Sequence, residues 1–205
     1  MHKFTIYPNK YLSQKIQAFY HIDYLKHKKP GNPDYLVVLK NTYKDTTQGV
    51  LKTAVKELES VLTEDLPGLF QILQLSSLTV CVVPRAKALY KPAQLLFKAT
   101  VSKIVKQLDG FIDGSDYIIR HTDTRTTHLK NYDKQGDMPY PGITEKTCNI
   151  SEDAAGKDIL LVDDIYTKTI NVDEDVIQAL LNRGARSLTF YAVGHTVYRY
   201  ANELF

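Results

Sequence analysis

Three segments of this chain are apolar almost throughout, and they constrain the fold more than any other feature. They are SLTVCVVPR at residues 77–85, KDILLVDDI at 157–165 and SLTFYAVGH at 187–195. A strand with one face in water alternates apolar and polar residues, whereas a continuous apolar run indicates a strand covered on both faces. Such strands are typical of parallel sheets with helical connections. The chain is therefore predicted to be an α/β protein with a doubly wound, mainly parallel sheet flanked by helices.

The segments between these runs show helical periodicity. Apolar residues three and four positions apart predict helices over residues 50–62, 92–108 and 172–181. Two shorter apolar runs are expected to be strands, YLVVLK at residues 35–40 and DYIIR at 116–120. Strands that alternate with helices in this way are typical of a single α/β domain.

The ends of this domain are marked by changes in composition. Residues 1–34 finish in a stretch rich in lysine, proline and glycine, and we interpret them as an N-terminal hood or edge segment. Residues 35–205 then form the main domain. Residues 121–155 are polar with little periodicity, which predicts a long mobile loop, with an edge hairpin in part of it as the alternative.

The overall composition narrows the class of protein. The 205 residues carry a net charge of +3, and no block of like charge indicates a nucleic-acid or membrane surface. We therefore expect a small-molecule ligand, no membrane association and no direct nucleic-acid ligand, and leave a homodimer open. Two cysteines are too few for a disulfide framework, and the polar start does not resemble a signal peptide. These features predict a soluble cytoplasmic protein.

The second apolar run ends in two adjacent carboxylates, Asp163 and Asp164. In an open α/β sheet, ligands bind beyond the carboxyl ends of the strands, next to helix N-termini. The following loop, YTKTIN, offers hydroxyl groups and backbone amides at the start of a helix, a position that favours anions. Carboxylates for sugar hydroxyls beside an anion-binding loop predict a site for a sugar phosphate.

The segment GKDILLVDDIYTKTIN, residues 156–171, resembles the phosphoribosyl-pyrophosphate (PRPP) motif of the type I phosphoribosyltransferases. VVPRAK at 82–87 is similar to the family's pyrophosphate-binding loop, which also follows a strand. RHTDTRTTHLKN at 120–131 resembles the mobile segment of the ComF-like, amidophosphoribosyltransferase-like branch, and LKNTYKD near the start is similar to the same branch. The resemblance covers roughly residues 35–195, and its specific part is the acidic-pair motif.

This resemblance implies a role for each matching residue. Asp163 and Asp164 would hold the ribose hydroxyls and act in catalysis. The PRPP-binding residues would be the acid pair together with the loop that follows it, namely Tyr166, Thr167, Lys168, Thr169, Ile170 and Asn171. Pyrophosphate would bind at Arg85, Ala86 and Lys87, and Arg120 and Arg125 would clamp phosphate from the mobile segment. Magnesium would be held mainly by the substrate and not by protein ligands.

The implied reaction displaces pyrophosphate from the anomeric carbon by an unidentified acceptor, through an oxocarbenium-like transition state. This step needs charge stabilisation and exclusion of water more than a protein nucleophile, and closure of the 121–155 loop would exclude the water. His121 and His128 lie in that loop and are weaker candidates for an acid or base.

The chain departs from the family pattern after the acid pair. Thr169 stands where most members have glycine, and Asn171 stands where they have a hydroxyl residue. Asn171 and Glu174 have the spacing of a capping box, so Asp173, Glu174 and Asp175 are interpreted as ordinary helix-start acids; Gly184 is expected to end this helix. Two alternatives to an enzyme therefore stay open. One is a non-catalytic sensor of PRPP or a nucleotide, and the other is a competence-like accessory protein for DNA handling.

Overall fold

The computed structural model describes residues 1–25, 29–40, 46–126, 140 and 142–197. The strands are β1 (His2–Ile6), β2 (Ile16–Tyr24), β3 (Leu78–Val82), β4 (Phe111–Asp113), β5 (Ile118–Arg120), β6 (Cys148–Ile150), β7 (Asp158–Tyr166) and β8 (Ser187–Thr196). The helices are α1 (Tyr35–Lys40), α2 (Gln48–Leu73), α3 (Leu96–Val105) and α4 (Val172–Asn182). Short 3₁₀ turns occur at Pro92–Gln94 and Glu152–Ala154.

Six strands form one mixed sheet in the order β1-β2-β8-β7-β3-β4. All neighbours are parallel except β1 and β2, which pair antiparallel. The three apolar runs became β3, β7 and β8, and β7 lies between the other two. The predicted α/β class with a mostly parallel sheet flanked by helices is thus confirmed. The N-terminal strands β1 and β2 complete one edge of this sheet, although the sequence analysis assigned no strand before residue 35.

Apolar side chains cover both faces of the sheet. Leu160 and Val162 of β7 pack on one side with residues of α1, α2 and α3. Ile159 and Leu161 point to the other side, where α4 and the β5–β6 hairpin cover them. Alternate residues of β7 thus pack into the hydrophobic cores on opposite faces of the sheet. The strand is therefore apolar on both faces up to Asp163.

Residues 35–40 form helix α1, so the prediction of a strand there was wrong. Val37 and Val38 favour a strand by propensity, but Leu36 and Leu39 are three positions apart and both are buried in the core with α2. A short apolar run cannot distinguish a strand from a buried helix by its pattern. The helical conformation matters for the site, because it directs Lys40, the last residue of α1, toward the end of β7.

The DYIIR segment contains β5, which lies outside the main sheet. β5 pairs antiparallel with β6 in a separate two-stranded sheet. β6 falls inside the segment 121–155, so this segment contributes one strand to the pair, whereas β5 lies just before it. Residues 127–139 and 141 of the predicted mobile loop, including His128, lie outside the described residues.

The long helix α2 connects the core to a buried polar cluster. Leu58, Leu62 and Leu66 form its buried stripe. Asp65 is also buried on this helix, and its carboxylate accepts hydrogen bonds from the Tyr191 hydroxyl at 2.6 Å and from His21 Nδ1 at 3.0 Å. These bonds offset the cost of burying the carboxylate.

Across the described ranges, no helix has the length and apolar character needed to cross a bilayer.

Two glycine substitutions should have opposite effects on stability. A Cβ atom at Gly114 would lie 2.7 Å from Thr79 Cγ2 and 3.1 Å from Cys81 Sγ, whereas one at Gly68 in α2 would meet nothing within 4 Å. We expect Gly114→Ala to lower the free energy of unfolding by about 1–3 kcal/mol through overpacking. Gly68→Ala should raise it by roughly 0.5–1 kcal/mol through helix propensity. Urea unfolding measures both, and equal effects would contradict the packing described.

Candidate functional site

Two adjoining cavities, of about 160 and 220 Å³, lie at the carboxyl end of the parallel strands. Asp163 and Asp164 of β7 border both cavities, and so does the segment 83–85 that follows β3. β3 and β7 are neighbours, so the residues after β3 face the acid pair across the same edge of the sheet. Lys40, Tyr90 and Arg120 also line both cavities. The acid pair and these residues therefore border both cavities.

Each acid of the pair has its own compensating partner. Lys40 Nζ lies 3.0 Å from Asp164 Oδ1, and both side chains are mostly buried. Asp163 is hydrogen-bonded to Asp173 from the first turn of α4, and Asp163 Oδ1 also accepts the Asp164 amide at 2.8 Å. Two carboxyl groups can bond to each other directly when they share a proton.

The shared proton is held by burial and by neighbouring charge. Burial and the negative charge of Asp164 raise the pKa of Asp163 to about 7. Burial and the charge of Asp163 raise the pKa of Asp173 well above its usual range. Both shifts favour the protonated form, so the Asp163–Asp173 pair retains a proton between its carboxyl groups at pH values where an ordinary aspartate is ionised, whereas Lys40 compensates Asp164.

The acids at the start of α4 are not ordinary helix-start acids on the surface. Asp173, Glu174 and Asp175 are 4%, 2% and 7% exposed. Glu174 accepts a hydrogen bond from the Tyr166 hydroxyl at 3.1 Å, and burial raises its pKa. The predicted capping box was wrong, because the Asn171 side chain makes no capping bond. Gly184 does end the helix, in the left-handed region at φ = 92°.

Asp175 fixes a distant segment against α4. Its carboxylate accepts the amides of Gly142 at 2.5 Å and Ile143 at 2.8 Å. The Gly142 carbonyl is held from the other side by Arg120 Nη1 at 3.0 Å and by the Thr147 hydroxyl at 2.6 Å. Gly142 is therefore bonded to α4 through its amide and to the β5–β6 region through its carbonyl.

The loop after β7 reaches the cavity with some of its predicted residues. Thr167 and Ile170 line the smaller cavity, and the Ile170 amide donates to the Thr167 carbonyl at 2.8 Å. Lys168 and Thr169, the two residues between them, are exposed and do not border either cavity. Among the described non-glycine residues, only Gln74 has a positive φ. The backbone at Thr169 therefore has a negative φ, and this turn does not need glycine at that position.

Two other predicted loop residues point away from the cavities. Tyr166 is buried in the core, where its ring packs against Phe4, Phe190 and His195. The Asn171 side chain accepts a hydrogen bond from Asn9 Nδ2 at 3.1 Å.

The segment after β3 carries the predicted pyrophosphate-binding residues. Arg85 borders both cavities, stacks on the Tyr90 ring at 4.2 Å and donates from Nη1 to the Gln94 carbonyl at 2.5 Å. Ala86 lines the smaller cavity and Lys87 the larger one. The Thr124 amide donates to the Ala86 carbonyl at 2.7 Å, which joins this segment to the residues after β5.

The two arginines predicted as phosphate clamps have different surroundings. Arg120 is 8% exposed and donates from Nε to the Arg85 carbonyl at 2.6 Å, in addition to its bond with Gly142. It therefore joins backbone segments around the site, and burial lowers its pKa. Arg125 is exposed at the rim of the smaller cavity. His121, the weaker acid–base candidate, is also exposed but does not border either cavity.

Sequence analysis did not identify several residues of the site, above all Lys40 and Asp173. Lys40 was assigned to a strand, and Asp173 to surface chemistry at a helix start. Tyr90 comes from a segment without a motif, and Thr124 lies in the 120–131 segment but was not singled out there. The one available signal was chemical: adjacent carboxylates at a buried strand end require a compensating cation or proton nearby.

Comparison with known proteins gives no independent assignment. A scan against protein-family models and a search of curated proteins returned no match to this chain.

The shared proton predicts a pH-dependent stability. The pKa values of Asp163 and Asp173 are raised on folding, that of Asp163 to about 7, so their contribution to stability is fully present below the unfolded pKa near 3.8 and is lost as the pH rises through the folded values. Asp173→Asn removes one ionisable group and keeps a hydrogen-bond donor. We expect the melting temperature of Asp173→Asn, relative to the parent, to rise by about 2 °C or more between about pH 5 and about pH 8.

Thermal unfolding across this pH range provides the measurement. Asp116→Asn is the control, because Asp116 is 78% exposed and lies outside the acid cluster. A pH-independent difference between Asp173→Asn and the parent would show that no proton is held at this pair.

Loss of the Asp175 carboxylate should loosen the Gly142 peptide. In Asp175→Ala, we expect the amides of Gly142 and Ile143 to exchange with solvent about tenfold faster or more, since hydrogen bonds to a charged group contribute about 1.5–3 kcal/mol. Asp175→Asn keeps an acceptor oxygen and should show a smaller increase. Hydrogen exchange followed by NMR measures both. Unchanged exchange in Asp175→Ala would contradict the described anchoring.

Proposed function

We propose that this protein binds PRPP and transfers its phosphoribosyl group to an acceptor with release of pyrophosphate, as the type I phosphoribosyltransferases do. One observation carries the proposal: Asp163 and Asp164 face the same cavity as the basic segment that follows the neighbouring strand β3. Carboxylates for a sugar and basic groups for a diphosphate are the two requirements of this ligand. The finer fold assignment, a doubly wound domain with residues 1–34 as an N-terminal hood or edge segment, belongs to the same proposal.

The charges around the smaller cavity support a ligand with both hydroxyl and phosphate groups. Four basic side chains line it, those of Lys40, Arg85, Arg120 and Arg125. Three acids line it as well, and Asp163 and Asp173 share a proton. Basic side chains therefore outnumber acidic ones around this cavity, which suits a phosphorylated sugar.

The acids would bind the ribose hydroxyls by accepting hydrogen bonds. Asp173 also lines the smaller cavity, so it adds a third carboxyl group that a sugar hydroxyl could contact. The hydroxyl of Thr167 and the turn that follows it would face the 5-phosphate.

Displacement of pyrophosphate develops positive charge on the ribose ring, and the Asp164 carboxylate borders the cavity where it would stabilise that charge. Arg85 and Arg125 would attract the pyrophosphate before and after cleavage. Magnesium would enter with the pyrophosphate and neutralise it. In the described part of the chain, no cluster of three or more metal-ligating side chains was found, which is compatible with an ion held by the substrate.

Binding of PRPP is the first test of this proposal. We expect PRPP with magnesium to raise the melting temperature of the parent protein, and the double variant Asp163→Asn/Asp164→Asn to lose this shift because both acceptor carboxylates become amides. Asp116→Asn serves as the matched control at an exposed aspartate. Circular dichroism would confirm that the double variant is folded. An unchanged melting curve of the parent would contradict the proposal.

A second candidate function is a non-catalytic PRPP sensor. It is favoured by the exposed position of Lys168 and Thr169 outside the cavity, because the family's loop wraps the 5-phosphate with these positions. Release of pyrophosphate in the presence of a panel of bases and amines separates the two functions. Binding of PRPP without pyrophosphate release across the panel would favour the sensor.

A further inference from the structure

The ion pair between Lys40 and Asp164 lies inside the candidate site. Lys40 Nζ is 3.0 Å from Asp164 Oδ1, and their side chains are 27% and 19% exposed. Two exposed lysine pairs of the chain differ in this respect: Lys98–Asp116 and Lys103–Glu59 each leave one partner more than half exposed. Lys40 also borders both cavities. It is thus part of the wall that a ligand would contact.

The physical reason for a cation at this point is the crowding of carboxyl groups. Asp163, Asp164 and Asp173 meet at the end of β7, and one proton is shared by Asp163 and Asp173. The remaining negative charge would be costly in a partly dry cavity without a counter-charge. Burial opposes the charged form of Lys40, but Asp164 and Asp163 outweigh it and raise its pKa, so the ammonium stays charged.

We propose that Lys40 is a positioning residue whose ammonium group compensates the negative charge of the acid pair. It takes the place where a divalent cation would otherwise be needed. The ammonium holds the Asp164 carboxylate in a fixed orientation, so that sugar hydroxyls bind to the pair with no metal ion on Asp164. The role of Lys40 as the compensating charge follows from the ion pair itself, whereas its role in sugar binding rests on the proposed function.

The geometry explains why helix α1 is needed for this role. Lys40 is the last residue of α1, and Leu36 and Leu39 fix that helix in the core with α2. The ammonium is therefore delivered by a packed element and not by a surface side chain that could easily move away. A divalent cation at Asp164 would have to displace this charge.

The first experiment uses magnesium alone, so it does not depend on the proposed function. We expect Lys40→Met to melt about 5 °C or more below the parent, because one partner of a mostly buried ion pair is lost. Millimolar magnesium should then raise the melting temperature of Lys40→Met by several degrees, about 2 °C or more, and leave the parent and Lys40→Arg unchanged. The exposed Lys103→Met is the control for loss of a lysine.

A double variant keeps the test decisive if Lys40→Met is poorly folded. Lys40→Met/Asp164→Asn removes both charges, so it should recover part of the lost stability and show no response to magnesium. A magnesium response in the parent equal to that of Lys40→Met would overturn the proposal. Absence of any response in a folded Lys40→Met would overturn it as well.

The second experiment tests sugar binding with ribose 5-phosphate, which lacks a pyrophosphate to carry a metal ion. In the presence of EDTA, we expect this ligand to stabilise the parent and Lys40→Arg, and to bind Lys40→Met at least tenfold more weakly. In a separate sample with magnesium in place of EDTA, binding to Lys40→Met should recover. If the parent binds PRPP but needs magnesium to bind ribose 5-phosphate, the role of Lys40 is wrong and the proposed function stands. If neither ligand binds while the magnesium response of Lys40→Met is seen, the proposed function is wrong and the role of Lys40 as the counter-charge stands.

Discussion

The interaction on which the site depends is the compensation of two adjacent carboxylates at the end of a buried strand. Asp163 and Asp164 would repel each other and resist burial if they were left without partners. The fold resolves this with two different devices, an ammonium from Lys40 on Asp164 and a shared proton from Asp173 on Asp163. The last residue of α1 and the first turn of α4 are therefore held at the same point of the sheet.

A second set of hydrogen bonds organises the backbone around the cavity. Arg120 joins the Arg85 carbonyl to the Gly142 carbonyl, and Asp175 binds the Gly142 amide from α4. The segment after β3, the hairpin region and the start of α4 are thereby connected through two side chains that are both less than one tenth exposed. Buried charged groups of this kind are retained when every donor and acceptor has a partner, and here they position the loops that line the cavity.

Prediction from sequence succeeded where a pattern had a single physical explanation. The apolar runs of β3, β7 and β8 could be buried on both faces only in a covered sheet, and the structure has them side by side. The pattern was ambiguous in YLVVLK, where packing of Leu36 and Leu39 on α2 selected a helix. The strand pattern was not recognisable in β2, because this strand contains polar residues such as His21. The His21 side chain is hydrogen-bonded to Asp65, which comes from a helix far along the chain.

The apolar run of residues 159–162 is enough to place two carboxylates at the carboxyl end of a central strand, because a long apolar run in a parallel sheet can end in polar residues only at its rim. The pattern that follows also predicts a loop and a helix directly after them. The partners of those carboxylates, in contrast, depend on packing between elements that are distant along the chain. Lys40 is far from Asp164 along the chain, and the direction of its side chain depends on how α1 packs against α2. The burial of Asp173 likewise depends on how α4 docks on the sheet, a property that helix-start spacing does not encode.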